Sequence, residues 1–587
     1  MTMPTSRLRI ATSALSLFLL PAGLSWAPDA LAQSGGYRIA GRVINSITGA
    51  PVSQTLVTIA DVKNLSGTKS LITGDDGVFA FNGLPAGKYS LEAARRGYIK
   101  SGYDAHEHFS TAIVTGGDAD TEHLVFRLTP QAGLSGKIYD EVGDPIRRAT
   151  VTLYRQDQTT GVALTRRISG ARTDDRGSYE FADLSAGTYF ISVNARPWYA
   201  LHPRTYVSGG GMMTTTSGDG SETHVRQEET AVTQEVPRSF DVAYLTTYYP
   251  DATESDEAVP IPLRGGERLS IDVHLTPVPA LRILVQSPGG REGGFTMPQL
   301  TKQSFDSTEN IMNTLMDRGP DPMENRNPMP FTRLPSGAIE ISGVPAGKYT
   351  VRMPSIPGTG ASGTIADFDL NQDGQQIDPA SGAAVSNAKL AVSLQGAARV
   401  PQGLVVVLRT KEHKVVRGAQ VDAHGIAELI DIPPGKYDVL AATPTNDYAI
   451  RRIIINGNTT NGHSLEVAAG TTIEGTVTIV GGQTVVEGVA KHNGKGVPGA
   501  MIVMVPNNPE GNAELFRRDQ SDLDGTFSLG TVIPGEYTIV AIENGWDLNW
   551  SQPGVIAHYV EKGRKITVAP TAQDPVHVSE PVEVQPR

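Results

Sequence analysis

Asp75-Asp76-Gly77-Val78-Phe79-Ala80-Phe81-Asn82-Gly83-Leu84-Pro85-Ala86-Gly87-Lys88-Tyr89 is the stretch on which the fold turns. Its Asp-Asp-Gly opening is a turn signal, and the residues after it alternate, so Phe79 and Phe81 share one face of a strand. Leu84-Pro85-Ala86-Gly87 then reverses the chain, because proline arrives with φ fixed and glycine admits positive φ. A second alternating run follows, with Tyr89 and Leu91 on one face. Read locally, this is a hairpin with one apolar side. An isolated hairpin is marginal in water, so it has to be the middle of a larger sheet.

The pattern returns four times: Asp174-Asp175-Arg176-Gly177 to Tyr189, Pro335-Ser336-Gly337 to Tyr349, Asp422-Ala423-His424-Gly425 to Tyr437, and Asp522-Leu523-Asp524-Gly525 to Tyr537. In each copy the turn glycine stands twelve residues before the tyrosine. The inward pair keeps its character rather than its identity: Phe79/Phe81, Tyr179/Phe181, Ile339/Ile341, Ala427/Leu429 and Phe527/Leu529. Five copies predict an all-β chain, a tandem array of about five small antiparallel β-sandwich domains.

Working outward gives boundaries. Residues 1–32 read as a secretory signal: Arg7 and Arg9 precede an apolar run from Ile10 to about Leu24, and Ala30-Leu31-Ala32 is a small-residue cleavage site. The sandwiches are then expected at 33–130, 131–279, 280–386, 387–478 and 479–570, with a disordered acidic tail at 571–587. The second carries an insertion at about 201–245, which includes Gly209-Gly210-Gly211 and Thr214-Thr215-Thr216 and reads as a long mobile loop. The third is the most divergent, with Gln303 to Asn327 reading as irregular. Short linkers allow either a semi-rigid rod or a compact cluster.

Composition bounds the rest. There is no Cys, so disulfides, thiolate catalysis and Cys-based zinc sites are excluded together, and exported domains of about 100 residues must be held by their cores alone. The net charge of −12 and the absence of a Lys/Arg cluster along the chain argue against nucleic acid and anionic membranes. No later segment approaches the roughly twenty apolar residues of a membrane span. With 63 Gly and 39 Pro against 14 Phe, short strands and turns are favoured over helical bundles.

The shared pattern resembles the carboxypeptidase regulatory-like, or transthyretin-like, β-sandwich repeats related to collagen-adhesin B-type domains. Residues such as Gly143-Asp144-Pro145, Ala149-Thr150-Val151 and Leu184-Ser185-Ala186-Gly187-Thr188-Tyr189 carry that resemblance, and the first, second and fifth units hold it nearly whole. The resemblance implies a string of sandwiches in an exported protein of Gram-negative bacteria, periplasmic or extracellular, with no peptidase domain and a binding or scaffold role. Because one fold hosts many activities, it does not name a ligand. Related adhesins form a Lys–Asn isopeptide bond, but Lys137 has Arg42 and Val489 as its equivalents, so no consistent set emerges.

Few residue groups offer chemistry. Asp369-Leu370-Asn371-Gln372-Asp373-Gly374 matches the start of a calcium loop, with Asp369, Asn371 and Asp373 as ligands. Ala380 stands where the bidentate Glu belongs, which favours a polar turn; no other cofactor is implied. Asp104, His106 and His108 would share a strand face as a metal triad, against the commoner reading of a solvated loop. Neither His-Glu-x-x-His, Gly-x-Ser-x-Gly nor a phosphate-binding glycine loop occurs, so a familiar enzyme class is not expected.

An aromatic falls nine residues after the motif tyrosine in three units: Tyr98, Trp198 and Trp546, with Trp550 four further on. Large rings usually pack over a sandwich edge. The functional reading is a polysaccharide stacked on an exposed indole, with Asp547 and Asn549 as hydrogen-bonding neighbours of Trp546 and Trp550; the alternative partner is a cell-surface protein.

Overall fold

The computed structural model describes residues 36–208, 212–216, 222–226, 230–286, 297–316, 330–355, 363–397, 399–412, 414–443, 448–460, 462–482, 484–569 and 575–587. The signal read at residues 1–32 and the triplet Gly209-Gly210-Gly211 lie outside the described residues. The chain is a tandem array of small, mostly antiparallel Ig-like β-sandwiches. Five separate apolar cores follow the five copies of the motif.

The motif itself is an arch rather than a hairpin. Val78–Leu84 pairs antiparallel with Tyr37–Asn45, placing Phe79 opposite Gly41, whereas Gly87–Ala94 pairs with Leu56–Asp61 in the facing sheet, placing Leu91 opposite Ile59. Leu84-Pro85-Ala86-Gly87 therefore carries the chain from one sheet to the other. Local sequence specifies a reversal and two alternating faces, but not the partner of each strand. Phe79 and Phe81 come down from one sheet and Tyr89 and Leu91 come up from the other, so one short segment supplies both halves of the core. The same switch occurs in the other units; in the second, Ser178–Leu184 pairs with Ala132–Tyr139 and Gly187–Asn194 with Thr150–Asp157.

Two constraints fix the motif's punctuation. Gly77, Gly177, Gly337, Gly425 and Gly525 all have φ between 70° and 88°, where a side chain is strained. A Cβ on Gly77 would also lie 2.5 Å from the Val43 carbonyl oxygen, and one on Gly525 2.4 Å from that of Ala490. The tyrosine hydroxyl donates to the carbonyl four residues earlier in all five units: Tyr89 to Pro85 (3.0 Å), Tyr189 to Ser185 (2.7 Å), Tyr349 to Pro345 (2.9 Å), Tyr437 to Pro433 (2.8 Å) and Tyr537 to Ile533 (2.7 Å). A phenylalanine would fill the same space but remove that donor, although in the first unit Thr115 Oγ1 also reaches the Pro85 carbonyl (2.9 Å).

Each unit closes with a strand parallel to its first. Leu124–Leu128 runs beside Tyr37–Asn45, and Thr472–Gly481 beside Ser386–Leu394. In the fifth unit this closing strand lies in the segment read as a disordered tail. Val582–Gln585 pairs with both Thr484–His492 and Gly535–Ile542, and Val582 and Val584 enter the core. The Val-Glu-Val alternation outweighs the acidic, proline-containing composition. The 201–245 insertion is likewise structured in its described part: Arg204–Ser208 pairs with Thr230–Gln234 and Met212–Thr216 with Glu222–Arg226. Overlapping the start of the stretch read as irregular, Gln299–Ser304 and Ser307–Asn310 form a hairpin ahead of the one-turn helix Met312–Leu315.

The sandwiches form a closed cluster rather than a rod. Gln131 N–H donates to the Gly97 carbonyl (2.9 Å) between the first and second units, and Thr165 N–H donates to Asp306 (2.7 Å) between the second and third. Arg352 pairs with Asp431 (2.8 Å) between the third and fourth, and His463 with Glu514 (2.8 Å) between the fourth and fifth. Lys88 Nζ reaches Asp522 (2.6 Å) and Thr526 (2.8 Å), which joins the fifth unit to the first and completes a ring. No helix among the described residues is long and apolar enough to cross a membrane.

Candidate functional site

The three residues at the plus-nine position meet different fates. Tyr98 accepts a hydrogen bond from Asn45 Nδ2 (3.3 Å) and covers the exit of its own sandwich. Trp546 and Trp550 are 8% and 7% exposed and pack with Phe516, Ile556 and Tyr559 in a satellite core beside the fifth sheet. Burial removes the open ring face that sugar stacking requires, so the expected fifth-domain carbohydrate site does not form there. Asp547 is exposed and pairs with Arg587 (2.9 Å), while Asn549 is half-buried.

What Trp546 meets instead is the first domain. His106 stacks on its indole with ring centroids 5.0 Å apart and planes 5° from parallel, and Phe109 lies at 5.6 Å. Arg518 sits over Trp550 (4.4 Å) and makes a bidentate pair with Glu107 (3.0 and 2.6 Å), its side chain 5% exposed. Arg518 also donates to the Thr159 carbonyl of the second unit (3.2 Å). Gln520 bridges back by donating to the Asp104 carbonyl (2.6 Å) and to Thr111 Oγ1 (2.8 Å), and it faces His106 Nδ1 at 3.1 Å. Of the residues read as a metal triad, Asp104 and His106 thus belong to a three-domain junction, while His108 lies exposed against Phe109.

The calcium reading is also redistributed. Asp373 binds Arg282 through both carboxylate oxygens (3.1 and 2.7 Å), and that pairing holds its carboxyl below the usual range. Asp369 contributes its backbone carbonyl to Gln375 Nε2 (3.0 Å), and Asn371 N–H donates to the Gln375 side chain (3.2 Å). Such contacts build a polar turn. Among the described residues no three or more His, Asp or Glu side chains are grouped to hold a metal ion. Lys137 is exposed, outside the core where an isopeptide bond would form.

These sandwiches, with their arch, positive-φ glycine and hydroxyl-anchored tyrosine, agree with comparison at the sequence level. Residues 38–129 and 133–221 each match the carboxypeptidase regulatory-like domain. The chain carries carboxypeptidase regulatory-like repeats. Among solved structures it is similar to a streptococcal ancillary pilin (16% identity over 52% of this chain and 100% of that one, TM-score 0.20). It is also similar to the Bacillus anthracis TIE protein (12%, covering 77% and 72%, TM-score 0.14) and to BcpA, the major pilin subunit of Bacillus cereus (10%, covering 76% and 99%, TM-score 0.14). At that distance the similarity fixes neither domain arrangement nor ligand.

The second carboxypeptidase regulatory-like repeat holds the feature that sequence reading missed. A groove of about 1010 Å³ opens between its outer sheet and the Ser307–Asn310 strand of the third sandwich, and Trp198 stands at its margin, 79% exposed. Arg147, Arg148, Arg167, Arg172 and Arg196 line it, against Asp140, Asp144 and Glu309. Asp140 accepts the N–H groups of Val142 (3.1 Å) and Asp144 (2.7 Å), and Glu309 takes the Tyr154 hydroxyl. Burial and that carboxylate push the Tyr154 hydroxyl well above its ordinary pKa, so it stays a donor. Arg196 Nη1 donates to the Leu315 carbonyl (3.2 Å), which ties the two walls.

The arginines come from three places: the loop before Thr150–Asp157, the edge strand Leu164–Arg172 and the exit of Gly187–Asn194. A Cβ added to Gly170 would lie 3.1 Å from Arg167 Nη2, so the guanidinium is laid across that glycine on the edge strand. The basic cluster absent from the linear sequence therefore exists in space. Arg147-Arg148 and Arg166-Arg167 were its available signal.

Proposed function

We propose that the protein is a non-catalytic binding scaffold that works after export, in the periplasm or at the cell surface. The observation that carries this reading is the closed ring of sandwiches: the first and fifth units, over 400 residues apart, are fastened by Arg518–Glu107, Lys88–Asp522 and the His106–Trp546 stack. A fastening of buried charge and stacked rings suits a rigid platform that presents its outer surfaces to a partner, a polysaccharide or another surface protein. Asp522 at the junction and the arch tyrosines Tyr349 and Tyr537 have pKa values raised by burial while engaged in contacts within the protein, which supports a structural use of them. The signal-like segment supports export.

Fractionation of cells expressing the tagged full chain tests this reading. The expected result is a protein cleaved near Ala32 and recovered from the periplasm or the cell surface. An uncleaved protein in the cytoplasm would overturn it.

A further inference from the structure

We infer that the groove between the second and third sandwiches takes a strand of extended polypeptide from another protein, laid along the open edge of Ser307–Asn310. This rests on the scaffold reading and names the chemistry of the partner that the scaffold holds. Ser307–Asn310 is the outermost strand of the third unit's sheet, which continues through Gln299–Ser304 to Gly347–Met353, and Leu164–Arg172 is outermost in the second unit's. Among the described residues no strand pairs with the far side of either. The two edges meet at one end only, where Thr165 N–H donates to the Asp306 carboxylate (2.7 Å) and Asp306 N–H to the Thr165 carbonyl (3.3 Å). Beyond that point Gly170 and Arg172 of one strand and Thr308 and Asn310 of the other line the groove and belong to separate sheets. The seam between these sandwiches is thus closed by hydrogen bonds at the Thr165 end and open along the rest. An added strand would continue an interface that the fold has already begun.

An outermost strand directs alternate N–H and C=O groups away from its sheet, and an extended chain pairs with those groups. Ser307–Asn310 carries neither proline nor lysine, residues that commonly block such an edge. Charge does not select the ligand: side chains of both signs line the groove, and Arg147, Arg148, Arg172 and Arg196 are each engaged within the protein. Specificity falls instead to an apolar shelf at the margin, made by Trp198 at 79% exposure and Leu201 at 42%. Tyr199 meets the indole edge-on, with centroids 5.8 Å apart, so a ring face stays open. Such a shelf takes one large apolar side chain projecting from the added strand. The groove of about 1010 Å³ stands at the top of the roughly 300–1,000 Å³ range of small-molecule pockets, which suits a short run of chain.

A neutral glycan would stack on the indole but has no backbone amides with which to extend the ladder. A second copy of this chain would bring a second net charge of −12, which opposes self-association.

Selection of a random dodecapeptide display library on the immobilised full chain, followed by titration calorimetry of the strongest peptide in synthetic form, tests the inference. The enriched peptides are expected to be uncharged along their central residues and to share one large apolar side chain. N-methylation of one alternate set of peptide nitrogens is expected to weaken binding at least tenfold and methylation of the other set to leave it nearly unchanged, since only one set faces the edge. Trp198→Ala, which removes an exposed ring and keeps the fold, is expected to weaken binding at least tenfold. No enrichment, equal effects of the two methylated sets, or indifference to Trp198→Ala would each overturn the inference. Binding of cellohexaose but of no peptide would overturn it in favour of a glycan, and a dimer dissolved by Trp198→Ala in favour of a second copy. All of these outcomes leave the scaffold reading standing. Cleavage of the peptide during incubation would overturn the non-catalytic reading instead.

Discussion

Trp198 and Trp546 occupy the same place in two copies of one motif, nine residues past the tyrosine that anchors the arch, and they end in opposite environments. Trp546 is enclosed by His106 and Phe109 of the first sandwich and donates its Nε1–H to the Gly499 carbonyl (3.3 Å). Trp198 stands open beside an arginine-lined groove. The motif determines where the ring leaves its own sheet; what it meets depends on which domain docks there. A repeat protein can thus use one position as an internal fastener in one copy and leave it open in another.

Truncating both rings gives the sharpest contrast. Trp546→Ala empties a packed junction and is expected to cost about 3–5 kcal/mol, read as an early unfolding transition of the fifth sandwich in denaturant. Trp198→Ala removes an exposed ring and is expected to change stability by no more than about 0.5 kcal/mol. Equal losses at the two sites would show that Trp198 is also a packing residue. Arg518→Ala comes next. It strands Glu107 and strips the cation from Trp550, for an expected loss of about 3 kcal/mol, with the first and fifth units separating in small-angle scattering before either unfolds.

The repeat's tyrosines and glycines were legible because each is demanded by its own ten or twenty residues: a positive φ, a fixed reversal, a hydroxyl within reach of the carbonyl four residues back. The arch was not, since alternation states which side chains point inward but not which strand lies alongside. Ring closure was not either, because Glu107 and Arg518 are separated by |i−j| = 411 and nothing local to either names the other. For the same reason the sequence left a metal reading open beside the commoner solvated loop at His106 and His108, and a binding platform open beside edge packing at Trp546. The final strand was missed differently: Val582-Glu583-Val584 alternates as a strand should, but its acidic, proline-containing surroundings suggested a tail. The arginines of the groove lie over fifty residues and converge only when the edge strand is placed beside its neighbour.

Removing only the hydroxyl at the arch tests whether the motif is equivalent across units. Tyr537→Phe keeps the ring and leaves the Ile533 carbonyl without its donor, an expected loss of about 1 kcal/mol. Burial raises the Tyr537 hydroxyl to about 12, so the bond persists through neutral pH. Tyr189→Phe in the repeat that carries Trp198 is expected to cost the same, measured as parallel shifts in denaturant midpoint. A much larger loss in the fifth unit would mean that junction packing, rather than the arch, sets the worth of the tyrosine.

The smallest effect separates the two regions by pH. Asp519 lies between Arg518 and Gln520, two residues of the junction, half-buried with one oxygen accepting Ser528 N–H (2.7 Å). Burial raises its carboxyl to about 6, above the ordinary 3.8. A folded-state value above the unfolded one means that the native protein binds the extra proton, so stability is greatest below about 4 and falls as pH rises through about 6. His463, raised by its pairing with Glu514, acts in the same direction at the neighbouring junction, its contribution present below 6.5 and lost as pH rises through its higher folded value. Carboxylates lowered elsewhere, such as Asp373 and Asp422, oppose this on acidification, so the informative quantity is the difference between wild type and Asp519→Asn. The asparagine still accepts from Ser528 and carries no charge to desolvate. It is expected to be more stable than wild type at pH 7 and to lose that advantage by pH 4. A pH-independent difference would place the Asp519 charge in contact with water and make the junction a matter of packing and Arg518 alone.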